Sequence, residues 1–401
     1  MEKSLKAEKL CECGKEHFLE TDKIVVSSDA FSLMLDYVCD KHFKSVLFFD
    51  HEKCTNEILF SNRMKQNNIL FKIKTIENCY ATEFLAKNLE SDDCDVVVAF
   101  GSEELISVCK YYCALYEKQI IICPTGNFAD FTFSSFSRLY DGVCFCFYKT
   151  VSPFAIFVNI ENRANKFQTY YLSSKFIAIF DNEFSKLVFK TETCPRLADF
   201  FSQTMKDYLL KNNMSLSEKN AWALIRLGQA MTFFGETKYF FGGDKLVLDV
   251  LQSLSKNGDF LELETIALKL VISSYDCFLK NSQNYNVANL NLHIKRISQL
   301  YKIPQTETIK RMGDNKILLP DEKTRNSFSN FQPYLRQFFQ KNMLKVFKIQ
   351  TTFSIVENVL KKNNFCGEKV KNAFSVSATF SKKPTLLGFI MAYGFMDKLF
   401  E

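Results

Sequence analysis

Three groups of residues in this 401-residue chain have types and spacings suited to chemistry. The first is a turn. The apolar run DVVVAF (95–100) leads into Gly101-Ser102, then a helical pattern, then a second apolar run, QIIIC (119–123), closed by Pro124-Thr125-Gly126. Strand, small-residue turn, helix and strand in that order make one βαβ unit, and its turn is where backbone N–H groups usually hold a phosphate. The turn continues Glu103-Glu104, and an anionic side chain there competes with a phosphate for the positive helix end. Glutamate in a first helical turn also stabilises an empty helix end, so the same residues read equally as a cap. The second group is a set of carboxylates. Asp50 ends the strand-like run SVLFFD, where an acidic residue can take a ribose hydroxyl or simply end a strand. Asp130 follows the second strand, either as a substrate-facing carboxylate or as a turn residue bonded to its own backbone. The third group is Cys11-x-Cys13-Gly14-x-x-His17. It has metal-capable side chains, but zinc takes four ligands, typically as two separated pairs, and no second pair is visible in the sequence.

The elements that must position these residues follow from periodicity. Helical patterns at 29–43, 55–66 and 81–90 alternate with strand-like runs at 44–50, 69–74 and 95–100, which argues for a parallel sheet covered on both faces. The closely spaced runs between 138 and 181, namely GVCFCFYKTVS, PFAIFVNI, KFQTYYLSS and KFIAIFD, are expected as an antiparallel extension at the sheet edge. From about Asp199 the pattern is helical, through to a packed terminal helix at 384–400. The fold class expected is an α/β Rossmann-like N-terminal domain, residues 1–190, followed by an all-α C-terminal domain, residues 191–401.

Composition narrows the function classes. The net charge of +6 comes from 51 basic and 45 acidic residues spread along the chain, with no Lys/Arg block of the kind that marks a nucleic-acid surface. The charged start, MEKSLKAEKL, lacks an apolar signal region, and no run reaches about 18 apolar residues. Fourteen cysteines lie mostly inside apolar runs, as buried free thiols of a reducing compartment would. A cytoplasmic protein without nucleic-acid or membrane partners is expected.

The order and spacing of these motifs resemble the sn-glycerol-1-phosphate dehydrogenases, within the superfamily of iron-type alcohol dehydrogenases and dehydroquinate synthases. That family's phosphate loop runs G-G/S-G-T/S-x-x-D and then Lys-Tyr; Gly101, Ser102 and Lys110-Tyr111 match it, while Glu103 and Ser107 replace the third small residue and the aspartate. The family's T-A-P-S-x-D-G-x-x-S is matched by Thr125, Asp130 and Ser134, with Phe128 and Phe131 where serine and glycine are expected. The resemblance therefore implies cofactor contacts from Asp50, Gly101, Ser102, Thr125 and Ser134, a substrate contact from Asp130, and a dimer. It implies an NAD(P) cofactor too, which Glu103 opposes.

In the family a divalent metal is held by one aspartate and two histidines, polarising a carbonyl during hydride transfer. Leu197-Ala198-Asp199 matches the aspartate motif, making Asp199 the surviving position. Phe241-Gly242-Gly243-Asp244-Lys245 matches the first histidine motif with lysine as the ligand. The chain's four histidines are His17, His42, His51 and His293, so the interval 52–292 has none. A protonated lysine has no lone pair for a metal, and no divalent metal is expected there. A Lys245–Asp199 ion pair in place of the metal is expected instead, either structural or as an electrophile. Cysteine-glycine-histidine starts like that of residues 11–17 also occur in bacterial members of the family.

Three functions stay open at this point. One is a degraded, non-redox protein binding a phosphorylated metabolite or a partner. Another is a metal-independent NAD(P)-dependent reductase of dihydroxyacetone phosphate or a similar ketone, with Lys245 and Asp130 catalytic. The last is different chemistry, using Asp130, Asp199 and Lys245.

Overall fold

The computed structural model describes residues 11, 13–14, 17, 19, 21–51, 55–77, 79–161, 165–210, 213–254, 260–281, 290–312, 320–349, 373–378 and 383–393. The chain divides into two compact units, residues 1–168 with 194–237, and residues 169–193 with 238–401. The expected single cut at residue 190 thus becomes an interleaved division, in which helical residues 194–237 belong with the α/β unit.

The first unit is built on a six-stranded parallel sheet. Its strands are β1 (Lys23–Ser27), β2 (Ser45–Asp50), β3 (Leu70–Thr75), β4 (Val96–Gly101), β5 (Gln119–Pro124) and, after a hairpin, β8 (Ala155–Asn159), in the spatial order β1-β8-β5-β4-β2-β3. The central strands are continuous runs of Val, Ile and Phe buried on both faces, as a sheet covered on both sides demands. The edge strand β3 alternates instead, with Lys72 and Lys74 outward and both paired to Asp92, a common way to blunt a strand edge. Helices α1 (Ala30–Asp40) and α2 (Thr55–Gln66) cover one face, where Met34, Val38, Phe60 and Met64 pack on Val46, Phe48, Val98 and Phe157. Helix α4 (Glu103–Leu115) covers the other, with Tyr112 edge-on to Phe49; the short α3 (Glu83–Lys87) flanks it. Cys109, Cys113 and Cys123 are buried free thiols, and burial pushes Cys123 up to about 12.

The antiparallel extension is smaller than expected. Only β6 (Phe136–Tyr140) and β7 (Phe145–Lys149) form it, as a two-stranded hairpin. PFAIFVNI supplies β8, which joins the parallel sheet. KFQTYYLSS and KFIAIFD are not strands at all: they lie in one helix of 25 residues, α5 (Asn165–Phe189). Aromatic and β-branched residues favour strands locally, but residues 171–178 are buried without a break, all round the helix, and Phe180, Phe184 and Val188 continue its buried side, so tertiary burial decides. Helices α6 (Pro195–Leu210) and α7 (Leu216–Phe234) complete the first unit.

In the second unit, α5 is joined by α8 (Gly243–Leu254), α9 (Phe260–Asn281), α10 (Leu290–Tyr301), α11 (Gln305–Met312), α12 (Glu322–Ile349) and α13 (Leu386–Ala392). Of the expected helix at 384–400, Leu386–Ala392 form α13, every residue of which is buried, and 394–400 lie outside the described residues. Among the described residues no helix is long and apolar enough to cross a membrane. The fold class is the one expected: an α/β Rossmann-like sheet followed by helices, of the dehydroquinate synthase-like kind.

Candidate functional site

From β4 the chain crosses to β5 on one side, and from β2 to β3 on the other, so β2 and β4 flank the topological switch point where open α/β sheets bind ligands at their strand ends. The register places Asp50 beside Phe100, and Gly101 beside Pro124. Four of the sequence-predicted residues, Asp50, Gly101, Ser102 and Thr125, therefore meet at these strand ends. Ser102 caps α4, its hydroxyl accepting from Leu105 N at 3.4 Å. Thr125 N donates to Gly101 O at 2.8 Å. Asp50 is only 2% exposed and its Oδ1 accepts from His51 N at 2.7 Å. Ser102 and Thr125 are half-buried, while Gly126 and Asn127 are exposed.

The other two predicted residues of this region lie behind the site, in the core. Asp130 is fully buried, with Oδ1 accepting from Phe131 N at 2.9 Å. Ser134 is buried, its hydroxyl donating to Phe131 O at 2.8 Å and accepting from Phe136 N at 3.1 Å. Phe128, Phe131 and Phe133 are likewise core residues, Phe128 edge-on to Phe133 and Phe131 edge-on to Phe147. Helix α7 presses on this turn so closely that a Cβ on Gly228 would lie 2.1 Å from Asp130 O.

Two side chains of α4 explain the inward turn. Glu103 is 8% exposed and its Oε2 accepts from Ala129 N at 2.7 Å. Lys110, two turns on along the same face, is fully buried and donates to Phe131 O at 2.7 Å, Ser134 O at 3.0 Å and Phe136 O at 2.5 Å. Burial pushes the Lys110 ammonium down to about 7 and the Glu103 charge opposes this. Three carbonyl acceptors use all three N–H donors of an ammonium, which also favours the protonated form. Glu103 and Lys110 together fasten residues 129–136 to α4.

In the helical unit the expected metal position does not form. Lys245 is buried and pairs with Asp249 at 2.9 Å, one turn along α8. Asp199 lies in the other unit, exposed on α6. In place of the expected Lys245–Asp199 pair, the lysine meets a carboxylate of its own helix, Asp249. With no histidine between 52 and 292 and an ammonium engaged by Asp249, the donors do not fit the family's Asp-His-His metal.

The acidic residue that organises this unit is Asp181, which is fully buried. Its Oδ2 accepts from Gly243 N at 2.8 Å, its Oδ1 from Leu386 N at 2.9 Å, and Tyr275 Oη donates to both oxygens at 3.0 and 3.1 Å. One carboxylate thus caps the N-termini of α8 and α13. Gly243 permits this approach, since a Cβ there would stand 2.4 Å from Tyr275 Oη. Around it lie buried Lys175, donating to Phe240 O at 3.0 Å, and Lys383, donating to Phe241 O at 3.0 Å. Burial raises Asp181, and raises Asp244 to about 7; it lowers Lys383 to about 8. Asp181 lies in KFIAIFD, whose local β preference points to a strand although the run belongs to helix α5.

A last cluster joins the Cys11-Cys13-His17 start to a residue far along the chain. Cys194, immediately before α6, brings its thiol to 3.7 Å from that of Cys11, and the ligand atoms of Cys11, Cys13, His17 and Cys194 all lie within 4.8 Å of one another. A separate cavity of about 150 Å³ between α6 and α7 is lined by Tyr208, Trp222, Ala223 and Arg226, with Arg226 paired to Asp207.

No family model matches this sequence, and no curated protein matches it. Solved structures do. An alcohol dehydrogenase from an archaeal, halo-thermophilic Red Sea brine pool source, ADH/D1, superimposes with a TM-score of 0.55 at 12% identity, over 96% of this chain and 97% of that one. A probable glycerol dehydrogenase from Sinorhizobium meliloti 1021 gives 0.49 at 11% identity over 80% and 98%. An iron-containing alcohol dehydrogenase from Thermotoga maritima gives 0.46 at 10% over 82% and 99%. The chain has the fold of the alcohol dehydrogenase ADH/D1, spread over nearly the whole of both proteins.

Proposed function

We propose that this chain is a non-redox protein on an alcohol dehydrogenase fold, which keeps the strand-end crevice for a small phosphorylated metabolite. The observation that carries the reading is the Glu103 carboxylate, fixed in the first turn of α4 by its 2.7 Å bond from Ala129 N. A dinucleotide sets its pyrophosphate on that helix end, so it would meet a held negative charge. A smaller ligand has the half-buried Thr125 and the exposed Gly126 and Asn127 for its phosphate. Loss of the metal donors, with Lys245 bound to Asp249, points the same way: hydride transfer to a carbonyl needs a preorganised charge for the alkoxide.

The test is thermal unfolding with millimolar NAD⁺, NADH, NADP⁺ or NADPH, and separately with glycerol 1-phosphate or dihydroxyacetone phosphate. At a hundredfold excess over Kd a ligand stabilises the folded chain by about 2.7 kcal/mol, a rise of several degrees. The proposal expects no shift with the four dinucleotides and a rise with a phosphorylated triose. A rise with any dinucleotide sinks it and favours a metal-independent reductase centred on Lys245.

A further inference from the structure

We propose that Cys11, Cys13, His17 and Cys194 form a structural zinc site. Among the described residues they are the four-donor group whose ligand atoms lie within 4.8 Å of one another. Structural zinc takes four such ligands, and Cys₃His is a common set. Two thiolates about 2.3 Å from one tetrahedral ion stand about 3.8 Å apart; Cys11 Sγ and Cys194 Sγ are 3.7 Å apart. Cys13 Sγ lies 3.2 Å from His17 Nε2, near the separation of a sulfur and a nitrogen sharing an ion.

The histidine is prepared for the role. Its Nδ1 lies 2.9 Å from Phe233 O, at the end of α7. A carbonyl only accepts, so Nδ1 carries the proton and the Nε2 lone pair faces the thiols. This outer hydrogen bond is the one metal-bound histidines usually make. The ring is 2% exposed and gripped by Phe233 and Phe234, at centroid distances of 5.2 and 4.9 Å. Gly14, at φ 74°, makes the turn that returns the chain between Cys13 and His17, and its N–H donates to Cys11 O at 2.8 Å; a left-handed residue there suits glycine. Cys11 is 4% exposed, while Cys13 and Cys194 are half-buried.

Soft thiolates with one imidazole select zinc over magnesium or calcium. The set is closed, three thiolates and a histidine with no water position, so its role is to hold structure rather than to catalyse. It lies wholly within the first unit and links the N-terminal segment to the start of α6 and the end of α7. Asp141, Cys144 and Cys146 on the β6–β7 hairpin offer three donors and serve as the control.

The experiment is elemental analysis of the full-length protein, purified without added metal or chelator, with cobalt exchange as an optical readout. One zinc per chain is expected, together with the intense visible bands of tetrahedral thiolate-bound cobalt after exchange. Cys194→Ser and His17→Gln should each cut zinc retention at least tenfold, while Cys144→Ser retains it. If a variant fails to fold, mercurial titration of the wild-type thiols decides: zinc released in step with the modification supports the site. Wild-type protein holding less than a tenth of an equivalent of zinc, and failing to take up cobalt when reduced, overturns the proposal. So does a Cys11–Cys194 disulfide found by mass spectrometry in the reduced-state preparation. Zinc lost in Cys144→Ser but kept in Cys194→Ser would move the metal to the hairpin and overturn it as well.

Discussion

Each unit holds a buried carboxylate near a helix N-terminus, and the two are satisfied differently. In the α/β unit Glu103 takes one backbone N–H, from Ala129, and one lysine of the same helix, Lys110, anchors the rest of the turn on three carbonyls. In the helical unit Asp181 takes N–H groups from two helices and a tyrosine hydroxyl, and it shares its surroundings with Asp244, Lys175 and Lys383. The first arrangement is an ordinary lock made by one cation with complete acceptors. The second crowds charges of both signs in the interior, where burial raises Asp181 and Asp244 and lowers Lys383, while in the first it lowers the single cation Lys110. The comparison teaches that a buried carboxylate near a helix N-terminus can sit beside one well-satisfied cation or within a cluster of several titrating groups.

The largest test of that contrast is Lys110→Met. It removes the ammonium from three buried carbonyls, of which Phe131 O keeps the Ser134 hydroxyl, leaves Glu103 without its nearby cation, and should cost about 3–5 kcal/mol in chemical denaturation. A loss below about 1 kcal/mol would show that Lys110 fills space and fastens nothing.

Next is the pH dependence of the helical unit. Asp244 is raised from 3.8 to about 7 by burial, against the opposing charge of Lys175. The folded state therefore holds its proton more tightly than the unfolded one. The stability this contributes is complete below about pH 4 and lost as pH rises toward 7, a span worth about 2–4 kcal/mol. Asp181 carries the same sign. Unfolding midpoints of wild type and Asp244→Asn, taken every half unit from pH 4.5 to 7.5, should converge at the acid end and separate near 7, the variant being the flatter. Parallel curves would remove the distinction between the two units.

Smallest is Glu103→Gln, which can still accept from Ala129 N and should change stability by about 1 kcal/mol or less. Its value lies in binding: removing the charge should let NAD(H) produce a thermal shift that the wild type lacks. If the variant stays unresponsive, the crevice is closed by something other than the carboxylate's charge.

Much of the α/β unit could be read along the sequence because its determinants are local. Runs such as SVLFFD and DVVVAF, followed by helical spacings, fix strands buried on both faces, and Ser102 and Glu103 announce the start of α4. The 165–189 helix departs from the expected strands because its Phe, Tyr and Ile residues favour strands locally while burial within the second unit decides. Asp199, which the Leu197-Ala198-Asp199 motif points to, is exposed on α6, whereas Asp181 is fully buried. Nothing near Cys11 or His17 signals Cys194, 183 residues from Cys11; long-range pairing is set by the fold. The destination of Lys245 was local, four residues away at Asp249, and the sequence did contain it.

The interleaving of the two units bears on how the chain is made. Residues 1–168 are synthesised first, then an excursion through 169–193 that belongs to the other unit, and only then residues 194–237, which supply α6 and α7. Domains generally fold as units while the ribosome works from the N-terminus. Here Gly228 and Thr232, which close over the turn at Asp130–Phe133 and Ser135, emerge nearly a hundred residues after the segment they cover. The nascent sheet must wait for them with its aromatic turn uncovered, so the vulnerable interval in the life of this protein is its own translation.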